Sequence, residues 1–307
     1  MTHVFIDGSA GTTGLRIVER LQSRKDISLI QLTEAERKNP EARKSALHSA
    51  DIAFLCLPDA AAIEAVELAG DASVKIIDTS TAHRTSSGWV YGMPELPGQR
   101  EKIASSSRIA NPGCHASGFI ALVAPLIQQR ILRKDALLTS FSLTGYSGGG
   151  KKMIAEYEVA DRSALLDGPR QYGLTQQHKH LKEMVHLCGL EHSPIFCPIV
   201  GDFYSGMEVT VPLFAQDVTG GIDEIRAAYA ACYQEGLIRP ESKDDGDNML
   251  SAAAFSGRDD MQIGVFGNEE RIILTARFDN LGKGASGAAI QNMNILMGLP
   301  EATGLNV

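Results

Sequence analysis

The chain has 307 residues, 44% of them hydrophobic and 21% charged, with a formal net charge of −8; that length holds one or two domains with full cores, and its interspersed acids and bases leave no basic footprint for nucleic acid. Five scattered cysteines (Cys56, Cys114, Cys188, Cys197 and Cys232), with no C-x-x-C pair, argue against a disulfide framework or a zinc site and fit a reducing cytoplasm better. No apolar run reaches membrane-spanning length, and a secretory signal is not expected.

The first elements are those of a nucleotide-binding βαβ unit. Val4-Phe5-Ile6 reads as a short buried strand, and residues 15–21 place Leu15, Val18 and Leu21 at helical spacing. Between them stand Gly8, Ser9, Ala10, Gly11, Thr12, Thr13 and Gly14, the expected cofactor contacts. Glycines there let the backbone approach a pyrophosphate resting on the helix N-terminus. The spacing is G-x-x-G-x-x-G rather than the commoner G-x-G-x-x-G, and such turns also occur without a ligand. The strand–turn–helix context near the start favours a dinucleotide. Further strands are expected at 27–32, 52–57 and 75–78, with a helix over 60–69, which makes a doubly wound parallel sheet of Rossmann type.

The end of the second strand bears on which dinucleotide is bound. NAD sites usually carry an acid at its end; here Thr33 stands there, followed by Glu34, Arg37 and Lys38. Hydroxyl plus cation suits a 2′-phosphate, hence NADP, with Thr33 and Arg37 as contacts. Glu34 argues the other way, and side chains that merely face solvent are the plain alternative. After the fourth strand, Arg84 is a candidate for a substrate carboxylate or for a surface ion pair. Residues 91–96 read as a turn.

Asn111-Pro112-Gly113-Cys114-His115-Ala116-Ser117-Gly118 is the most informative segment. Proline and glycine break the chain before the cysteine, and an apolar helical pattern over 118–129 follows it. A sulfur at a helix start meets free N–H groups and the positive end of the macrodipole, a setting that favours thiolate. Beyond this point, strand-like runs at 137–144, 195–200, 207–213, 262–266 and 271–278 outnumber helical ones at 181–187 and 222–233. An α+β domain is expected, with a mixed or antiparallel sheet and helices on one face. The last helical pattern, 287–297, is expected to return to the first domain. This gives a dinucleotide domain of 1–112 and 285–307 and a catalytic domain of 113–284. Residues 242–247 form a polar, acidic segment expected to be mobile.

Two further clusters carry chemistry. In His178-Lys179-His180-Leu181-Lys182-Glu183, a helix starting near His180 sets His180 and Glu183 on one face. A carboxylate beside an imidazole orients it for proton transfer; the plain alternative is a histidine pair on a polar helix end, and no further ligand stands at zinc spacing. Residues 143–152 combine Ser147, Gly148, Gly149 and Lys151, so successive N–H groups could form an anion nest closed by a lysine. The alternative there is a hinge or hairpin turn.

These pieces together resemble the N-acetyl-gamma-glutamyl-phosphate reductase family of arginine biosynthesis, in its shorter (type 2) branch, within the aspartate-semialdehyde dehydrogenase superfamily. The matching segments run along the chain: 8–14, 91–96, 111–114, 142–151, 178–183, and 279–287 leading into Gln291-Asn292-Met293-Asn294. The resemblance implies that Cys114 attacks an acyl phosphate and forms a thioester, that NADPH reduces it, and that His180, oriented by Glu183, moves protons. It also implies substrate contacts from His178, Ser147, Gly148, Gly149, Lys151, Arg84 and Tyr172, and assembly into dimers or tetramers. Two departures stand out: Ser205-Gly206-Met207 where many members carry Arg-Gly-Ile, and no proline before Glu183. An enzyme acting on another acyl phosphate, an NADP-binding redox sensor that uses Cys114 as a switch, and a thiol hydrolase stay open at this point.

Overall fold

The computed structural model describes residues 1–307. In chain order the strands are β1 (Thr2–Asp7), β2 (Ile27–Ile30), β3 (Ile52–Leu55), β4 (Lys75–Asp78), β5 (Val90–Tyr91), β6 (Arg108–Ala110), β7 (Thr139–Gly145), β8 (Arg170–Gln171), β9 (Ile195–Gly201), β10 (Met207–Phe214), β11 (Ile238–Pro240), β12 (Met261–Gly267) and β13 (Arg271–Phe278). The helices are α1 (Thr12–Leu21), α2 (Pro40–Ser49), α3 (Asp59–Ala69), α4 (Gln99–Ser105), α5 (Cys114–Gln128), α6 (Gly150–Glu158), α7 (His180–Cys188), α8 (Gly221–Cys232) and α9 (Gly287–Leu296). No helix is long and apolar enough to cross a membrane.

The chain divides into two units. The first comprises Met1–Pro94, Gly98–Pro112 and Ala285–Leu305. Its six strands are all parallel in the order β2-β1-β3-β4-β6-β5. Side chains alternate across such a sheet, so each strand feeds two cores. Val4, Ile6, Ile52 and Phe54 pack with Ile17, Ile290 and Met293 on one face. Phe5, Ala53 and Leu55 pack with Leu47, Ala62 and Ala65 on the other. Helices on both faces make this the doubly wound Rossmann arrangement. β1 lies between β2 and β3, so the chain's winding reverses at the carboxyl ends of β1 and β3, where such sheets bind ligands.

The second unit comprises Glu95–Pro97, Gly113–Gly284 and Asn306–Val307. Its seven-stranded sheet runs β11-β12-β13-β10-β7-β9-β8 and is mixed, with β11–β12 and β7–β9 parallel and the other pairs antiparallel. α5 packs on β10 and β13, flanked by α7 and α8. Pro125 inside α5 has no N–H for the Ala121 carbonyl, and the buried Tyr233 hydroxyl donates to it instead at 2.7 Å. Phe141, Ile195, Phe214 and Ile273 stay 42–60% exposed.

Several expectations are corrected. Glu95–Pro97 and Asn306–Val307 belong to the second unit, because Glu95 binds Lys283 and the Asn306 N–H donates to Asp259. The helix after the cysteine begins at Cys114, with Gly113 as N-cap, rather than at residue 118. β2 and β3 end at Ile30 and Leu55. Residues 242–247 are anchored: Asp245 takes Arg277 Nη1 and the Ser251 N–H, and Ser242 Oγ accepts from Val265 N–H. Residues 146–158 are neither hinge nor hairpin. A 3₁₀ turn at Tyr146–Gly149 leads into α6.

Candidate active site

In the first unit the glycine segment fits a dinucleotide. Gly8 has φ of +85°, and a Cβ there would overlap the Cys56 carbonyl oxygen, so glycine alone lets β1 turn against the end of β3. Gly11 is the N-cap of α1 and offers no side chain, which leaves the first-turn N–H groups of Thr12, Thr13 and Gly14 for an outside acceptor. A cavity of about 240 Å³ is lined by Gly8, Ser9, Leu15, Leu32 and Arg37, so Arg37 shares a space with the glycine turn. Ala10 is exposed. Thr33 is committed elsewhere: its hydroxyl and its N–H both donate to Glu36, at 2.7 and 2.9 Å. Cys56 is half-buried beside this turn, and desolvation of its sulfur pushes the thiol up to about 12. It is no nucleophile.

Arg84 also belongs to the first unit. Its guanidinium donates to the carbonyls of Asn111 (3.0 Å) and Thr79 (3.2 Å). It braces the segment leading to Pro112.

In the second unit Cys114 is the first residue of α5 and is partly accessible. Gly113 N–H donates to Glu183 Oε2 at 3.2 Å. Glu183 is 1% exposed, so one carboxylate fixes the cap residue just before the cysteine. Its other oxygen lies 3.9 Å from His180 Nε2, an ion-pair separation beyond hydrogen-bond length. His180 N–H donates to His178 Nδ1 at 3.2 Å, which places the proton of a neutral His178 ring on Nε2. Gly284 closes the back of the site: a Cβ there would lie 2.9 Å from Cys114 Cβ.

Tyr172 meets the cluster through His115, a residue to which sequence reasoning gave no role although it follows the cysteine directly. His115 Nε2 lies 2.7 Å from the Tyr172 hydroxyl, and its Nδ1 lies 2.6 Å from Ser142 Oγ. Its ring centroid stands 5.8 Å from that of His178 and 5.5 Å from that of His180. Burial and the neighbouring His178 push its pKa down to about 3, so it is neutral.

The segment expected to form an anion nest is tied to residues 203–206 at its start. The N–H groups of Gly145, Tyr146 and Ser147 donate to the carbonyls of Gly206, Phe203 and Tyr204. Ser147 is buried, and its hydroxyl accepts from Asn280 Nδ2 at 3.0 Å. Gly148 follows in the same turn, Gly149 caps α6, and Lys151 is exposed on its first turn. Ser205, which stands where an arginine was expected, is buried and donates to Asp279 Oδ2 at 2.8 Å. That carboxylate also takes the N–H groups of Gly257, Leu281 and Gly282. Lys283 Nζ reaches Glu95 Oε1 at 2.6 Å, both side chains buried. The 91–96 and 279–287 segments thus meet through an ion pair that spacing alone does not reveal.

A dinucleotide-binding sheet, followed by a mixed-sheet unit whose buried helix starts on an accessible cysteine beside histidines, defines the semialdehyde dehydrogenase class of oxidoreductases. Residues 3–106 match the semialdehyde dehydrogenase NAD binding domain, and residues 114–280 match the semialdehyde dehydrogenase dimerisation domain. The N-acetyl-gamma-glutamyl-phosphate reductase 2 of Nostoc sp. is 48% identical, covering 98% of each chain. The N-acetyl-gamma-glutamyl-phosphate reductase of Burkholderia cenocepacia is 42% identical, covering 97% of this chain and 98% of its own. The chain belongs to the N-acetyl-gamma-glutamyl-phosphate reductase family. Among solved structures, aspartate semialdehyde dehydrogenase II of Vibrio cholerae shares the fold, with a TM-score of 0.69 at 16% identity over 97% of this chain and 98% of that one. The NADP complex of the Candida albicans aspartate semialdehyde dehydrogenase gives 0.69 at 14% identity, over 97% and 99%.

Proposed function

We propose that the protein reduces N-acetyl-gamma-glutamyl phosphate to N-acetylglutamate semialdehyde and phosphate, through a thioester on Cys114, with NADPH as donor. The observation that carries this reading is the seat of Cys114: first residue of a buried helix, its cap held by Glu183, histidines beside it. The helix N-terminus favours the thiolate, which attacks the acyl carbon and expels phosphate with the bond's electron pair. His180, with the Glu183 charge nearby, holds the proton exchanged at the sulfur and at the carbonyl oxygen. His178 and Tyr172 face the substrate, and the first turn of α6, with Lys151, lies on the side expected to meet its charges. Gly8–Gly14 and Arg37 hold the dinucleotide, Arg37 against a 2′-phosphate. When bound, a reduced nicotinamide supplies the hydride that takes the thioester to the aldehyde level. The exposed sheet residues Phe141, Ile195, Phe214 and Ile273 fit a second copy of this chain.

The test runs the reaction backwards. Phosphate-dependent reduction of NADP is measured with N-acetylglutamate semialdehyde, with NAD and aspartate semialdehyde as comparisons. The expected result is turnover with the first pair, lost in Cys114→Ser while NADPH still binds. Near-normal turnover in that variant, or preference for aspartate semialdehyde, refutes the reading.

A further inference from the structure

His115 sits between two hydroxyls, and a neutral imidazole has one donor and one acceptor to divide between them. Ser142 decides the division. Its Oγ is fully buried, and His115 Nδ1 is its one hydrogen-bond partner. A buried O–H left without an acceptor costs more than an oxygen left with a spare lone pair. Ser142 therefore donates to Nδ1, the His115 proton resides on Nε2, and Nε2–H donates to the Tyr172 oxygen at 2.7 Å. With its oxygen already accepting, the Tyr172 hydroxyl has its own proton left to give.

Phe196, at 5.3 Å and edge-on, and the rings of His178 and His180 hold the imidazole in place. Burial and the charge of a Cys114 thiolate both keep the Tyr172 phenol protonated, and His115, which holds that phenol, follows Cys114 directly in the chain. Burial and His178 keep His115 from charging, so the ring does not compete with His180 for the proton in turnover.

We infer that His115 is a positioning residue: through the Ser142–His115–Tyr172 chain it aims the Tyr172 hydroxyl at the oxygen that becomes anionic when Cys114 adds to an acyl carbon. This rests on the proposed role of Cys114 as acyl acceptor and adds the donor that meets the developing charge. No proton is transferred along the chain. The sulfur–carbon bond forms, the carbonyl π pair moves to oxygen, and the Tyr172 O–H donates a hydrogen bond to it until the leaving group departs.

The experiment uses the whole protein and 4-nitrophenyl acetate, which acylates a thiolate and releases 4-nitrophenolate without nucleotide or native substrate. Cys114→Ser sets the background. Tyr172→Phe is expected to slow acylation by about a hundredfold, the usual cost of one such donor, and His115→Phe by about tenfold or more, as a misaimed one. The double variant is expected to match Tyr172→Phe alone, because both changes remove the same contact. His115→Gln, whose amide reaches the same oxygen, is expected to stay within about threefold of the wild type. Ser142→Ala, which leaves the ring in place and frees its tautomer, is read alongside in case His115→Phe does not fold, and is expected to be slower by about threefold or more. Unchanged rates in His115→Phe and Ser142→Ala, losses that multiply in the double variant, or no rescue by glutamine overturn the inference. An unacylated wild type overturns it together with the role of Cys114. The expected pattern in a protein that fails to turn over N-acetyl-gamma-glutamyl phosphate leaves His115 in its role and overturns the substrate assignment alone.

Discussion

Replacing Lys283 by methionine tests whether the ion pair between two distant motifs holds the second unit together. Lys283 Nζ lies 2.6 Å from Glu95 Oε1, with side chains 3% and 0% exposed, and the same oxygen accepts the Leu237 N–H at 3.2 Å. Methionine keeps the chain length and removes the ammonium, which takes this cation from a carboxylate deep in the protein. Breaking a buried pair from one side costs about 3–5 kcal/mol. At about 2–4 °C per kcal/mol for a unit of this size, the melting temperature falls by about 6–20 °C. The only tryptophan, Trp89, belongs to the first unit, so its fluorescence does not report on this pair. Urea and thermal unfolding are followed instead by near-ultraviolet circular dichroism, to which Tyr146, Tyr157, Tyr172, Tyr204, Tyr229 and Tyr233 contribute from the second unit. Glu95→Gln together with Lys283→Met removes both charges and leaves an acceptor for Leu237, so most of the loss is recovered. A loss under about 1 kcal/mol in Lys283→Met, or a double variant no better than the single, refutes the reasoning.

Three further outcomes follow from the site. Gly284→Ala sets a methyl 2.9 Å from Cys114 Cβ and 3.1 Å from the Asp279 carbonyl oxygen; thiol alkylation by iodoacetamide is expected to change at least about tenfold, since a small misplacement of a reacting group carries that cost, and an unchanged rate argues that the back of the site is loose. His115 is neutral when folded down to pH about 3 but titrates near 6.5 when unfolded, so the unfolded chain binds the extra proton and stability falls as pH drops from 6.5 toward 3. His115→Phe is expected to remove about one proton from that slope, about 1.4 kcal/mol per pH unit in urea titrations, and an identical slope contradicts the burial argument. Arg37→Ala is expected to raise KM for NADPH about tenfold and leave KM for NADH nearly unchanged, the loss of one charge-assisted contact; parallel changes in both would show that Arg37 does not meet the 2′-phosphate.

The parts legible in sequence were those written in local pattern. β1, the glycine turn and α1 read directly because Val4, Phe5 and Ile6 are all buried and the glycines stand at the turn. Cys114 at a helix start was readable from Pro112 and Gly113, though the apolar run misplaced the helix start, since Cys114 to Gly118 form a first turn without a large aliphatic side chain. Helix α2 went unread although Asn39, which caps the N–H groups of Glu41 and Ala42, and Pro40 mark its start. The rest lay beyond local pattern. Nothing near Glu183 announces that it binds Gly113, nothing near Ser205 announces Asp279, and the amides of the 145–147 segment were spoken for by residues 203–206. Such pairings are set by which strands neighbour one another, as β7 does β10 and β9, and neighbours in a mixed sheet need not be neighbours in sequence.

The position of β13 bears on how the protein is made. It is the last strand of the chain, yet it sits inside its sheet between β12 and β10, and the segment after it delivers Gly284 to the back of Cys114. In the first unit α9 likewise supplies Ala289, Ile290 and Met293 to a core that begins with Val4 and Ile6. A ribosome releases the chain from its N-terminus, so neither core can close, and the nucleophile has no finished seat, until nearly all the residues have emerged. Nascent chains arrested before β13 are expected to remain protease-sensitive throughout. Protection of residues 1–112 in such chains would show that the first unit folds without waiting. Reactivity at Cys114 is thereby deferred until Gly284 has emerged, and a protein truncated before that glycine carries a thiol whose seat is unfinished.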